Sequence, residues 1–427
     1  MVTAEKSRID CRHIDVLDGI RAVSVIIVLI FHFWQQTWIF PVIKTPWLAF
    51  VGITKIDFSN FATVGYLFVD MMVLISGFLL FLPLMRSIIL GEEMSSWKNY
   101  ARRRIARIVP SYYFAVLLLF FASALPTGAY ATTADALKDL FAHLTFTQTL
   151  WVNTYIATPL DVVLWTVAIE VWFYVLFPFV AEFIKGPRNK NRQSFTPAYG
   201  IFFIFAVFNI INYVYTENFV LKGNVYLAMR INQFPAFLGV YSIGMLGASA
   251  FVLIAKNCRR SRIFNAVNTL FSVCSILLII YLINDCVATQ ERQGTERSKL
   301  AFVFMTFIIT TALSSKWYRW LFSNKFMRFL SGISYNLYIW HQWLSVQCKN
   351  TWRIPKWSGE IPPNMLNITY WMNRYAVVIT VFAFAAAILA TYLIEKPFAN
   401  LIMGRPVFPL FAKKHLTTAN SADEECI

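Results

Sequence analysis

Arg21 and His32 are the first residues in the chain whose types and spacing suggest chemistry. Both belong to or border an apolar run, where an ionisable side chain costs about 3 kcal/mol or more unless it is paired or hydrated. On a helix their separation amounts to about 16 Å of rise and three turns plus roughly 20°, so both face the same way. Asp18, three residues before Arg21, is expected to share that face and hold the guanidinium at one end of the helix. A cation near the membrane surface suits an anionic donor, and an imidazole further in can move a proton. The structural alternative makes Arg21 a snorkelling topology anchor and His32 a helix-packing hydrogen bonder.

Four further groups carry charge or polarity where it is expensive. Asp70 precedes Ser76-Gly77-Phe78, where glycine allows close helix approach, so a structural salt bridge competes with catalysis. Glu170, in Trp165-Thr166-Val167-Ala168-Ile169-Glu170, can orient a histidine, act as a base or pair with an arginine. Ser334, Tyr338, His341 and Ser345 fall on one helical face, a polar stripe that would line a cavity or a buried seam. In Arg102-Arg103-Arg104-Ile105-Ala106-Arg107-Ile108-Val109-Pro110, Arg104 and Arg107 share a face. Two forked guanidiniums side by side suit phosphate groups; topogenic charge or contact with anionic lipid heads is the plainer reading. Six cysteines show neither CxxC pairs nor the Cys/His spacing of a zinc site, so no metal is expected. Cys286 and Cys348 are placed at the outer ends of two helices, where an oxidising compartment would permit a disulfide.

The elements that must position these residues are transmembrane helices. Of the 427 residues, 58% are hydrophobic and only 14% charged, too few to cover a water-facing surface. The net charge of +16 resides in short clusters between apolar runs, which argues for topogenic charge and against nucleic-acid binding. Apolar windows predict an all-α polytopic protein with ten spans at roughly 19–40, 63–85, 108–125, 161–184, 198–216, 234–255, 263–283, 300–313, 329–348 and 371–394. Alternate connections are basic: Lys6, Arg8 and Arg12; Arg102 to Arg107; Lys185, Arg188, Lys190 and Arg192; Lys256 to Arg262; Lys316 to Arg328; and Lys396, Arg405, Lys413 and Lys414. By the positive-inside rule that side is cytoplasmic, and both termini lie there. Residues 1–18 read as a cytoplasmic segment, 19–398 as one membrane domain and 399–427 as a cytoplasmic tail. The first apolar run has the length of a span and lacks a small-residue cleavage site, so it is expected to remain in the mature protein. Asn367-Ile368-Thr369 forms a glycosylation sequon on the outer side.

Taken together, these segments resemble the acyltransferase-3 family of membrane O-acyltransferases. Five stretches carry the likeness. They are Leu17-Asp18-Gly19-Ile20-Arg21-Ala22 with its spacing to His32; Val69-Asp70 with Leu74-Ile75-Ser76-Gly77-Phe78; and Arg103-Arg104-Ile105-Ala106-Arg107-Ile108-Val109-Pro110-Ser111-Tyr112. The others are Trp165 to Glu170 with Phe173-Tyr174, and Ser334-Tyr335-Asn336-Leu337-Tyr338-Ile339-Trp340-His341 with Glu395-Lys396-Pro397 downstream. Met71-Met72 stands where aromatics are common in relatives, and the hydrolase-like C-terminal domain that some relatives carry has no counterpart.

The resemblance implies transfer of an acyl group, most often acetyl from acetyl-CoA, to a hydroxyl of a cell-envelope or exported glycan or glycolipid, with no permanently bound cofactor. It makes His32 the favoured catalytic residue, with Arg21 and Glu170 beside it. Arg104, Arg107 and Arg103 are expected at the donor, and Asp18, Asp70, Tyr112, His341, Tyr338 and Ser334 in support. The expected setting is a plasma membrane, the inner membrane if the source is bacterial. Direct transfer and an acyl intermediate on His32 both fit. The competing class is a transporter or flippase-like carrier whose buried charges line an alternating-access path. A non-catalytic receptor or assembly factor would tolerate single changes at these charges.

Overall fold

The computed structural model describes residues 9–186, 197–222, 227–289 and 293–407. Lys6, Arg8, Arg188, Lys190, Arg192, Lys413, Lys414 and Cys426 lie outside the described residues, as does most of the segment from 399 onward. The first helix, α1 (Val16–Thr37), leads into a small antiparallel hairpin of β1 (Val42–Lys44) and β2 (Lys55–Asp57), with Ile43 opposite Ile56. A short α2 (Ser59–Thr63) then turns the chain into α3 (Phe68–Leu90), which returns beside α1. Next come α4 (Trp97–Leu119) and the long connection holding α5 (Thr133–Leu144) and the single-turn α6 (Val152–Tyr155). After α7 (Trp165–Lys185), the chain passes through α8 (Pro197–Tyr215), α9 (Leu227–Ile231), α10 (Phe234–Asn257), α11 (Arg262–Thr289) and α12 (Gln293–Leu313). The last elements are α13 (Lys316–Ser323), α14 (Lys325–Val346), α15 (Thr369–Ala390) and α16 (Lys396–Met403).

Helix is the form these segments must take, because a chain in hydrocarbon has to satisfy its own backbone groups. Polar residues mark several starts: Ser96 caps α4 by accepting the Asn99 N–H, and Asn324 caps α14 by accepting that of Met327. Pro83, Pro110 and Pro178 sit inside α3, α4 and α7, as membrane helices tolerate.

Packing centres on α10, which lies against α3, α8 and α12, while α1 is held between α3 and α14. The α3–α10 contact depends on two glycines facing each other. A β-carbon on Gly244 would come 2.6 Å from the Leu74 carbonyl oxygen and 2.9 Å from the Phe78 nitrogen, and one on Gly77 would come 2.9 Å from the Tyr241 oxygen. Close backbone approach through small residues is the means by which helices associate where lipid is as apolar as leucine. Gly244→Leu is therefore expected to abolish the monodisperse detergent-solubilised species in size-exclusion chromatography. Gly332→Ala, at a helical site with no atom near the added methyl, should leave it intact; equal behaviour of the two variants would refute this packing account.

All ten expected segments are helical, and the fold is all-α and polytopic apart from the small hairpin. The sequence predicts about ten spans. Among the described residues eight helices are long and apolar enough to cross a bilayer alone. Arg297–Leu313 and Lys316–Thr351 pass only together, bent by 116°, which makes nine if the pair is one span. The physical reason is polarity: α14 carries Ser331, Ser334, Asn336, His341 and Ser345, all buried against other helices and not facing lipid. The suggested Cys286–Cys348 disulfide is also absent, since Cys348 carries a free thiol. Cys286 lies near Tyr66 and Cys348 near Tyr375.

Candidate active site

Two helices, α1 and α4, bring Arg21, Arg104 and Arg107 to one place beside α7. Arg21 from α1 lies within electrostatic range of Arg107, Asp18, Glu170 and Tyr174, and Tyr174 in turn of Arg21, Arg104, Arg107 and Glu170. Arg21, Glu170 and the Arg107 side chain, the last 23% exposed, keep some accessible surface although they lie deep in the bundle.

Within this cluster the two arginines of α4 have separate partners. Arg107 pairs with Glu395 at 3.3 Å, and Glu395 also accepts from Asn336 Nδ2 at 2.6 Å. Asn336 donates to Thr391 Oγ1 as well, at 2.9 Å, so α4, α14 and the turn ending α15 are tied together. Among the described residues Arg104 has no carboxylate partner; its guanidinium lies 5.2 Å from the ring centroid of Tyr174 and 5.6 Å from that of Tyr100, with Nε buried and unpartnered. Cation–π contact holds an arginine without cancelling its charge. The expected pair of forks side by side thus becomes one neutralised and one available guanidinium.

Asp18 does not hold Arg21. Its carboxylate accepts from Ser331 Oγ of α14 at 3.1 Å and stays within electrostatic range of Arg21 without a direct contact. Among the described residues Arg21 makes no hydrogen bond or ion pair. Glu170 does not orient a histidine either; it accepts from Ser76 Oγ of α3 at 2.6 Å.

Deeper in the bundle, His32 of α1 faces His341 of α14 with ring centroids 5.0 Å apart. His32 Nδ1 is 3.0 Å from Gln35 Oε1, one turn on. His341 Nδ1 lies 2.7 Å from the Tyr338 carbonyl and 3.2 Å from that of Leu337. Carbonyl oxygens only accept, so Nδ1 of His341 carries the hydrogen and Nε2 the lone pair. Tyr338 is buried and hydrogen-bonded to Thr166. Just before α7, Asp161 accepts the backbone N–H groups of Val163 and Trp343, each at 3.2 Å, and so pins α14 two residues beyond His341. Burial lifts the Asp161 carboxyl to about 7, against those two N–H groups, which favour the anion.

Four expected site residues lie elsewhere. Arg103 points to Ser95 Oγ at 2.6 Å, on the exposed side of α4. Tyr112 is a buried strut whose hydroxyl donates to the His143 carbonyl of α5 and accepts from Gln148. Asp70 pairs with Arg297. Ser334 donates to the Ser331 carbonyl on its own helix and lines no open space. Sequence reasoning passed over Tyr174, Glu395 and Asn336 as site residues, although all three stand in motif stretches, and it passed over Asp161 and Arg297 altogether. Among the described residues no group of three or more His, Cys, Asp or Glu side chains is placed to hold a metal ion.

The model of the acyltransferase-3 family, described as an acyltransferase domain, matches residues 14–396, a stretch that contains every residue of both clusters. The chain belongs to this family. Among similar acyltransferase-3 relatives, a Staphylococcus aureus (strain COL) protein named "Putative O-acetyltransferase" is 26% identical over 352 residues, 77% of this chain and 50% of its own length. A "Peptidoglycan O-acetyltransferase" of Listeria monocytogenes is 24% identical over 352 residues, 78% of this chain and 50% of its own. A "Putative acetyltransferase" of Acidianus two-tailed virus is 24% identical over 254 residues, 58% of this chain and 65% of its own. The chain thus spans about half the length of the two bacterial relatives. No solved structure matches it.

Proposed function

We propose that this acyltransferase-3 chain is a membrane O-acetyltransferase that moves an acetyl group from acetyl-CoA to a hydroxyl of a cell-envelope or exported glycan. The observation that carries this reading is the interior pairing of two clusters along α1. Guanidiniums without a direct ion pair among the described residues lie near its basic end, and a histidine pair lies about 16 Å deeper on the same helix. A donor with phosphates at one end and a thioester at the other matches that layout. The family match and the relatives named for O-acetyl transfer point the same way. The basic end is placed at the cytoplasm, in a plasma membrane that is the inner one in a bacterium.

In this mechanism Arg104 and Arg21 attract the phosphates, and Arg107, already balanced by Glu395, stiffens the wall. His32 Nε2 takes the proton of the acceptor hydroxyl while that oxygen bonds to the thioester carbonyl carbon. The tetrahedral adduct collapses, the carbon–sulfur bond breaks, and the departing thiolate receives the proton from His32. Gln35, by accepting from Nδ1, keeps the basic lone pair on Nε2.

The test is release of free CoA from acetyl-CoA by purified protein in nanodiscs, with and without a pool of glycans. Acceptor-dependent release is expected. Arg104→Ala should raise the KM for acetyl-CoA about 10-fold or more, and Arg104→Lys should recover part of that because a point charge replaces a stacked fork. An unchanged KM in Arg104→Ala would remove Arg104 from the donor site, and the absence of release with every acceptor would overturn the reading.

A further inference from the structure

The buried Nε2 of His341 has no use in the mechanism so far. Its side chain is 1% exposed, Nδ1–H is committed to backbone carbonyls, and Nε2 is an acceptor without a donor. Buried polar atoms are nearly always satisfied, so an orphan acceptor beside a reactive residue suggests a donor that arrives only part of the time. His32 is the titratable group whose ring packs against that of His341. The other polar groups nearby are engaged: Asp161 with the Val163 and Trp343 N–H groups, Tyr155 with Asn232, Thr166 with Tyr338, and Glu170 with Ser76. With Nδ1 of His32 on Gln35, the free nitrogen of each ring is Nε2, and the ring centroids are 5.0 Å apart.

We propose that His341 Nε2 accepts a hydrogen bond from His32 Nε2 whenever His32 carries the substrate's proton. In the resting protein both nitrogens are acceptors and nothing joins them. When His32 takes the hydroxyl proton as the new carbon–oxygen bond forms, Nε2–H becomes a cationic donor, and a small rotation of the rings brings it to the lone pair of His341. The bond breaks again as the proton passes to the thiolate released by carbon–sulfur cleavage. His341 thus acts through His32 as a positioning residue: it never binds the substrate and does not titrate. It stabilises the one charge that develops on protein during the step. The carbonyls of Leu337 and Tyr338 keep its Nδ1 protonated, so the acceptor is present before the reaction starts.

This inference rests on His32 being the base, and its test has one arm independent of turnover. With the five histidines of the chain labelled, 15N NMR of the protein in liposomes should show the Nε2 resonance of His341 moving in step with protonation of His32, without His341 itself gaining a proton. In the turnover arm, His341→Leu should lower kcat about 10²-fold at unchanged KM for acetyl-CoA and displace the pH–kcat profile. His341→Gln, which also presents an acceptor, should recover much of that loss. A packing role predicts the reverse order, with the apolar leucine tolerated at least as well as glutamine. A His341 resonance indifferent to His32, or leucine matching wild type, overturns the proposal. If the wild type releases no CoA with any acceptor, the functional reading fails and the NMR arm still decides whether the two rings are joined; if the variants do not fold, that arm needs only the wild type.

Discussion

His32→Ala should lower acceptor-dependent release of CoA by about 10² to 10⁴-fold while leaving acetyl-CoA affinity and the thermal midpoint close to wild type. The split follows from position. His32 lies about 16 Å along α1 from Arg21, so the alanine variant leaves the arginine cluster unaltered. Among the described residues its imidazole is hydrogen-bonded only to Gln35 on its own helix, so no tie between these helices is lost. Isothermal titration with acetyl-CoA, run beside the turnover assay, separates the two effects. Wild-type turnover in the variant would exclude His32 as the base, and equal loss of affinity and rate would relocate it to donor binding. A carrier gives a different pattern: acetyl-CoA binds, no CoA is released in any variant, and His32→Ala changes transport instead.

The membrane class and every long helix were legible in the sequence, because lipid imposes a length and a polarity on each span. The number of crossings was less so. Hydropathy treats α14 as apolar by its average, whereas its serines, Asn336 and His341 are buried against other helices, and the sharp turn at Leu313–Lys316 carries no proline or glycine signal. Spacing along one helix predicted faces well; it could not say who stands opposite. Arg21 and His32 do lie on a common interior side, yet Asp18 went to Ser331, Glu170 to Ser76 and Arg107 to Glu395. Each of these partners comes from a helix far away in sequence, and pairing across a bundle depends on rotation and tilt that no local pattern encodes. The nearness of His32 and His341 belongs to the same class of fact. The motif stretches did mark both residues, and only the packing of α1 on α14 makes them neighbours.

Arg297 shows where that blindness matters most, and it yields the largest expected effect on stability. Its side chain is 3% exposed and that of Asp70 fully buried, with Nε 3.2 Å from the carboxylate. Nη1 donates at 3.0 Å to the carbonyls of Ile231 and Ala236, and the guanidinium lies 3.9 Å from the ring centroid of Phe237. One residue at the start of α12 thereby joins α3, the end of α9 and the first turn of α10. Arg297→Met removes a buried cation from beside the Asp70 carboxylate, which should cost about 3–5 kcal/mol and appear as a lower thermal midpoint in detergent. Adding Asp70→Asn to that variant should restore part of the loss, since the carboxylate whose buried cation was removed is then neutral as well. The double variant should also retain acceptor-dependent CoA release when held below its midpoint, because neither residue reaches the arginine cluster or the histidine pair. An Arg297→Met variant as stable as wild type would show that the pair contributes nothing net. A double variant that folds and binds donor but turns nothing over would return Asp70 to the catalytic machinery.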